Sequence, residues 1–176
     1  TEQVSAIVGK ASKADHPLIP YGSGSGVLGG IIPLGGEVML DMQRMNRILK
    51  IDRDNHLVTV EAGMNGEVFE DALNAEGFTS GHLPQSLTIS TVGGWAACRG
   101  GGQESSRFGK IENIGGGLKA VMPDGRVLEI RPLPKRASGP SVLDIIVGSE
   151  GTLAVITELT LRIWTLPPAE EAIVLA

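Results

Sequence analysis

The stretch "PYGSGSGVLGG", Pro20 to Gly30, places five glycines in eleven residues. Inside it, Gly24-Ser25-Gly26-Val27-Leu28-Gly29 fits the spacing G-x-G-x-x-G. That spacing serves a dinucleotide when a strand precedes it and a helix opens within it, so that the helix N-terminus faces the pyrophosphate. Leu18-Ile19-Pro20 supplies a short strand, but no helix can follow. Gly30, Pro33, Gly35 and Gly36 come too soon after the match, and glycine costs a helix about 1 kcal/mol and proline about 3. The match is therefore accidental, and a doubly wound nucleotide fold does not follow from it. The loop has a second route to phosphate. Successive backbone N–H groups, with glycine free to take either sign of φ, form a concave anion nest, and Ser23 and Ser25 add hydroxyls. An ordinary surface loop is the competing reading.

Two other segments repeat this chemistry. "PQSLTISTVGGWAACRGGG", Pro84 to Gly102, carries hydroxyls at Ser86, Thr88, Ser90 and Thr91, then Gly93-Gly94, then Arg99 before three glycines. "GSEGTLAVIT", Gly148 to Thr157, delivers a glycine turn into an apolar strand. Three such loops suit a ligand with two phosphates and two ring systems better than any one of them alone.

Composition removes other classes. Fifteen basic against twenty acidic residues give a formal charge of -5 with no basic stripe, which argues against a nucleic-acid partner. Cys98 is the only cysteine, so no internal disulfide forms, and a reducing, cytoplasmic setting is expected. No apolar run approaches the roughly 18 residues a membrane span needs. Three histidines without nearby acidic or cysteine partners predict no metal site. The chain opens inside a helical pattern, which implies further residues upstream.

Periodicity predicts a helix over Glu2 to Ala14 capped by Thr1, a strand at Leu18 to Pro20 and another over Glu37 to Asp41. Arg47 to Asp52 and His56 to Glu61 read as a hairpin around "DRDN". Asn65 caps a helix through Glu76, with Gly77 just beyond its end. A long stretch, Thr79 to Gly117, lacks regular pattern except for a short helix near Val92 to Ala97. Leu118 to Met122 and Arg126 to Arg131 flank "PDG", a turn in which proline presets φ and glycine takes positive φ. Pro132 to Pro140 is a loop, Ser141 caps a short helix through Val147, and Ala154 to Trp164 is a long strand. This order is α+β rather than a regular βαβ succession.

Together, "MNRIL" at Met45 to Leu49, "SGHLPQSLTISTVGGW" at Ser80 to Trp95 and "SGPSVLDIIVGSEGTLAVIT" at Ser138 to Thr157 resemble the FAD-linked oxidases of the vanillyl-alcohol oxidase type. The narrower likeness is to the alkylglycerone-phosphate synthases. The resemblance implies an α+β, two-lobed FAD-binding domain of the PCMH type over residues 1–166. Lobe one would cover about 1–61 and lobe two about 62–166, with FAD between them. Residues 167–176 would begin a cap domain that binds a small-molecule substrate and is otherwise absent here. A homodimer of the full-length protein is also expected.

Carried over by position, the resemblance puts Pro20, Tyr21, Gly22, Ser23, Gly24, Ser25 and Gly26 on the pyrophosphate and adenosine side. Pro84, Gln85, Ser86, Leu87, Thr88, Ser90, Thr91, Gly93 and Gly94 would line the diphosphate and flavin ring. Cys98, Arg99, Gly100 and Gly101 would flank the flavin edge. Glu150, Gly151, Thr152, Leu153, Val155 and Ile156 would give contacts to the ring or ribityl chain. Covalent members attach flavin to a histidine in or near the first glycine loop. Tyr21 to Gly30 has none, so the FAD is expected to be non-covalent. The synthases carry acids where this chain has Leu83 and Gln85, and Ala154 stands where a glycine is usual.

Single residues keep two readings each. His82 matches a histidine of the synthase pattern and is either a ligand or proton carrier, or a loop histidine bonded to backbone. Arg99 neutralises a phosphate or makes a surface ion pair. Cys98 is a small filler or a nucleophile. Glu150 forms a turn or contacts cofactor, and Trp95 and Trp164 fit a core or lobe interface. The implied function is oxidation of a 2-hydroxy acid or alcohol by flavin, with the catalytic acid or base in the cap and this piece inactive alone. The alternatives are a synthase-like flavin-dependent transferase and a stand-alone nucleotide-binding module.

Overall fold

The computed structural model describes residues 1–133 and 137–168. Residues 134–136 of the predicted loop and 169–176 of the expected start of a cap domain lie outside the described residues. The elements run α1 (Glu2–Lys13), β1 (Leu18–Tyr21), β2 (Val38–Asp41), β3 (Ile48–Asp52), β4 (Leu57–Glu61), α2 (Gly66–Ala75) and β5 (Phe78–Thr79). They continue with α3 (Val92–Ala97), α4 (Ser105–Phe108), α5 (Ile111–Ile114), β6 (Gly115–Val121), β7 (Val127–Ile130), α6 (Val142–Ile146), β8 (Val155–Arg162) and β9 (Trp164–Thr165). Helix and sheet are mixed as α+β.

The scaffold is a five-stranded sheet in the order β3-β4-β8-β6-β7, every neighbouring pair antiparallel. It draws strands from both sides of position 61, because β8 returns to pair with β4. Side chains alternate across this sheet. On β8 and β6 the facing pair Val155 and Val121 joins Val4, Val8, Leu40 and Met42 in a small cluster beneath α1. The next pair, Ile156 and Ala120, points into the main core with Phe69, Leu73, Val92, Trp95 and Ile146.

The two strands beside the glycine loop form their own sheet. β1 and β2 pair in parallel, Leu18 opposite Val38 through Tyr21 opposite Asp41. The sixteen residues between them (22–37) hold no strand or helix. β5 and β9 make a third, two-stranded sheet that the sequence did not announce.

Local signals are mostly realised. The Asn65 side chain accepts from Glu67 N and Val68 N, and Gly77 follows α2 at φ +81. The "PDG" turn closes with Gly125 at φ +86 and Gly125 N donating to the Met122 carbonyl at 2.8 Å. The Thr1 cap is corrected: its side chain makes no capping bond, and Thr1 Oγ1 donates instead to Glu158 Oε1 at 2.8 Å. That hydroxyl ties α1 to β8 rather than closing its own helix. The patternless stretch also contains α4 and α5, helices of four residues each, too short to show a period.

Candidate functional site

The three glycine loops meet. Gly22 lies so close to Thr91 that a Cβ on it would sit 2.4 Å from Thr91 Oγ1, and a Cβ on Gly151 would sit 3.1 Å from Pro20 Cγ. Glycine suits these crossings because a side chain on residue 22 would collide with that of Thr91, and residue 151 crowds the Pro20 ring while holding φ at +79, the left-handed region that favours glycine. Gly148 N and Glu150 N donate to the carbonyls of Ala96 and Ala97, both at 2.9 Å, which staples the third loop to the end of α3. Ser90 N closes the second loop on the Ser86 carbonyl at 2.8 Å.

Between them is a cavity of about 720 Å³, within the few hundred to a thousand typical of small-molecule and cofactor sites. Pro20, Tyr21, Gly22, Ser23, Gly24, Ser25 and Gly26 line it from the first loop. The second loop and α3 contribute Pro84, Gln85, Ser86, Ser90, Thr91, Gly93, Gly94, Cys98, Gly100 and Gly101. Glu150, Gly151 and Ile156 complete the third side, and His82 lies on the wall.

Six expected residues are not brought to the cavity, and each has a physical reason. The Leu87 carbonyl accepts from Glu67 N, and the Thr88 carbonyl from Asn65 Nδ2, so both hold α2. Arg99, at φ +52, pairs with Glu112, Nε to Oε1 at 3.3 Å. Thr152 Oγ1 donates to the Ser149 carbonyl at 2.6 Å, and Leu153 is exposed. Val155 faces the cluster under α1, one step out of phase with Ile156.

Ten further residues line the cavity: Val27, Leu28, Gly30, Ile89, Trp95, Ala97 and Ala154 lie inside the three quoted segments without having been expected as contacts, whereas Ile31, Met42 and Ala62 lacked a sequence signal. The apolar ones read as core or as surface until the loops converge. Ala154 was singled out only as a departure from glycine, and its methyl stands in the wall.

The first loop offers backbone donors beside its serine hydroxyls. Among the described residues, no hydrogen bond engages the N–H of Ser23, Gly24, Ser25 or Gly26. The first N–H groups of α3 are spent differently: Val92 N donates to the Met64 carbonyl and Gly93 N to the Ala62 carbonyl at 2.7 Å. Gly93 is therefore a packing glycine, since a Cβ there would meet Ala62 Cβ at 2.6 Å.

Titrating groups are few. Burial, and then the Glu150 carboxylate, push the Cys98 thiol up, which keeps it protonated and unsuited to nucleophilic attack. Burial lowers His82 to about 4, against the opposing pull of Glu112, so its imidazole is neutral near pH 7. Among the described residues no group of three or more His, Cys, Asp or Glu could hold a metal ion. Nor is any helix among them long and apolar enough to cross a membrane.

Free backbone donors, small residues at each loop crossing and a cavity of this size fit a large dinucleotide. The model of the FAD binding domain matches residues 1–131. The chain belongs to the FAD binding domain family. This FAD-binding domain is 40% identical to the uncharacterized FAD-linked oxidoreductase YgcU of Escherichia coli, across 96% of the chain and 35% of that protein. It is 36% identical to a D-lactate dehydrogenase of Archaeoglobus fulgidus over 100% of the chain and 39% of that protein. A solved structure of an alkyldihydroxyacetonephosphate synthase superposes with a TM-score of 0.89 at 36% identity, covering 96% of the chain and 31% of that structure. The domain thus spans about a third of the length of each relative, and FAD is its cofactor.

Proposed function

We propose that the cavity holds FAD non-covalently and that the domain serves a flavin-dependent oxidoreductase acting on a 2-hydroxy acid or alcohol. The observation that carries this reading is the row of unengaged N–H groups from Ser23 to Gly26 on the wall of a 720 Å³ cavity. These groups would take the diphosphate, because oriented backbone dipoles bind anions without the cost of desolvating a charged side chain. Gly22 and Gly151 let the first loop close on its neighbours. Ile156, Ala154, Ile89 and Trp95 would exclude water from the ring system. When bound, the flavin supplies the two-electron chemistry. Cys98 stays a thiol beside it and forms no bond.

The non-covalent attachment rests on the first loop, where Tyr21 to Gly30 offers no histidine. The remaining reading is one of organisation: residues 1–166 form the cofactor domain, lobe one about 1–61 and lobe two about 62–166, joined through the sheet β3-β4-β8-β6-β7, and a substrate-binding cap follows. In that arrangement the group that removes the substrate proton stands in the cap. The full-length protein would be a cytoplasmic homodimer.

A synthase-like transferase is the second reading, favoured by the 0.89 superposition. Anaerobic mixing of the full-length protein with D-lactate and related 2-hydroxy acids separates the two. Bleaching of the 450 nm flavin band, followed by recovery with an external acceptor, supports the oxidoreductase. A flavin that hydroxy acids leave oxidised, but that an acylated dihydroxyacetone phosphate reduces, supports the transferase instead.

A further inference from the structure

One side chain on the cavity wall has no polar partner. His82 is fully buried, and neither of its ring nitrogens makes a hydrogen bond. Its backbone is accounted for, with His82 N donating to Ser80 Oγ at 3.2 Å. The ring is held by packing on Trp95, centroids 4.9 Å apart at 54°. Trp95 cannot satisfy it, because the indole Nε1 already donates to Ser90 Oγ at 2.7 Å. On the other side stands Gly100, whose absent Cβ would lie 3.8 Å from His82 Nε2. A buried polar pair left open in an otherwise well-satisfied fold is uncommon and calls for a partner.

The chemistry of that partner follows from the charge of the ring. Glu112 favours the imidazolium, yet burial outweighs it. Arg99 and Lys110 engage the Glu112 carboxylate through Oε1, both at 3.3 Å, while its buried Oε2 also lacks a partner and makes no hydrogen bond to His82. A neutral imidazole offers one N–H donor and one nitrogen acceptor. It matches an uncharged group rich in carbonyls, N–H or hydroxyls. A diphosphate would call for a cation or for stacked N–H donors, and the first loop already presents the latter.

We propose that His82 is a binding residue for the uncharged part of the cofactor, its isoalloxazine ring or ribityl chain. The inference rests on the reading of the cavity as the FAD site. The carbonyl and N–H edges of the ring and the ribityl hydroxyls all offer what the imidazole lacks, and the ADP half of the cofactor is left to the glycine loop.

The test compares wild type, His82→Phe and His82→Gln, titrating FAD by flavin fluorescence and ADP by calorimetry. His82→Phe keeps a ring against Trp95 and removes both nitrogens; it is expected to weaken FAD about tenfold, the worth of roughly one neutral hydrogen bond. ADP affinity is expected to stay unchanged, and His82→Gln to regain part of the loss. Equal FAD affinity in His82→Phe, or an equal loss for ADP, overturns the inference. If His82→Phe does not fold, the ¹⁵N imidazole spectrum of the wild type decides, with only three histidines to assign. FAD is expected to move a His82 ring nitrogen, and an unmoved pair overturns the inference. A wild-type chain that binds no FAD overturns the reading of the cavity itself.

Discussion

At the scale of the residue, glycines that look alike in sequence do different work. Gly26 has nothing within 4 Å of where its Cβ would be, whereas at Gly93 that atom would meet Ala62 Cβ at 2.6 Å and the Ala62 carbonyl oxygen at 2.7 Å. Gly26→Val is expected to leave the ligand-free melting temperature nearly unchanged and to weaken FAD at least tenfold, because its side chain enters the cavity. Gly93→Val is expected to lower stability by about 1–3 kcal/mol through overpacking, visible in chemical denaturation without any ligand. A Gly93→Val protein as stable as wild type would mean that α3 can slide off β4. His82 adds a pH dependence. Its folded pKa of about 4 lies below the ordinary 6.5, so the unfolded chain takes up the proton first. The neutral ring contributes nothing against stability above pH 6.5, and stability falls as pH drops from 6.5 towards 4, by up to about 3 kcal/mol. Glu61, held low chiefly by its hydrogen bond from Arg47, loses its contribution only below the ordinary carboxylate range. Melting temperature followed from pH 7 to 4.5 should therefore decline in wild type and flatten in His82→Phe; parallel curves would place the slope elsewhere.

At the scale of the element, what could be read from the sequence was what a few adjacent residues decide. Asn65 capped α2 as its side chain and position require, and "PDG" turned because Gly125 could take φ +86. Replacing Asn65 by Ala removes two capping bonds and the tie from Nδ2 to the Thr88 carbonyl. That substitution should cost about 1 kcal/mol, read as a lower denaturation midpoint with an unchanged slope. A midpoint within error of wild type would show that packing of Phe69 and Leu73 alone holds α2. Elements set by distant partners were not legible. β5 and β9 are two residues each and exist because Phe78 finds Thr165 across 87 positions of chain. Thr1 lost its capping role because Glu158, far away in sequence, offers a stronger acceptor. The candidate site divides the same way: the glycine and hydroxyl segments were visible, but Met42, Ala62 and Ile89 enter only once three loops converge. Val155 and Ile156 show the remaining difficulty, since one step along a strand exchanges cavity for core.

At the scale of the whole molecule, the antiparallel sheet is the platform and the loops at its margin are the instrument. β8 pairs with both β4 and β6, so the third glycine loop, which leads into β8 at Val155, is fixed beside the end of β6 at Val121 and near Ala62, whose N–H donates to the Thr157 carbonyl just beyond β4. The cavity is thus bounded by segments from three distant parts of the chain, and a ligand bridging them should stabilise all of them together. The rise in melting temperature should grow with FAD concentration, by about 2.7 kcal/mol of added stability at a hundredfold excess over Kd. The central claim is that these loops hold one FAD without a covalent bond. The direct measurement is a flavin fluorescence titration of the protein, followed by acid precipitation of the saturated complex. The account predicts one FAD bound per chain and all of the yellow colour in the supernatant. No saturable binding, or flavin that stays with the precipitate, would contradict it.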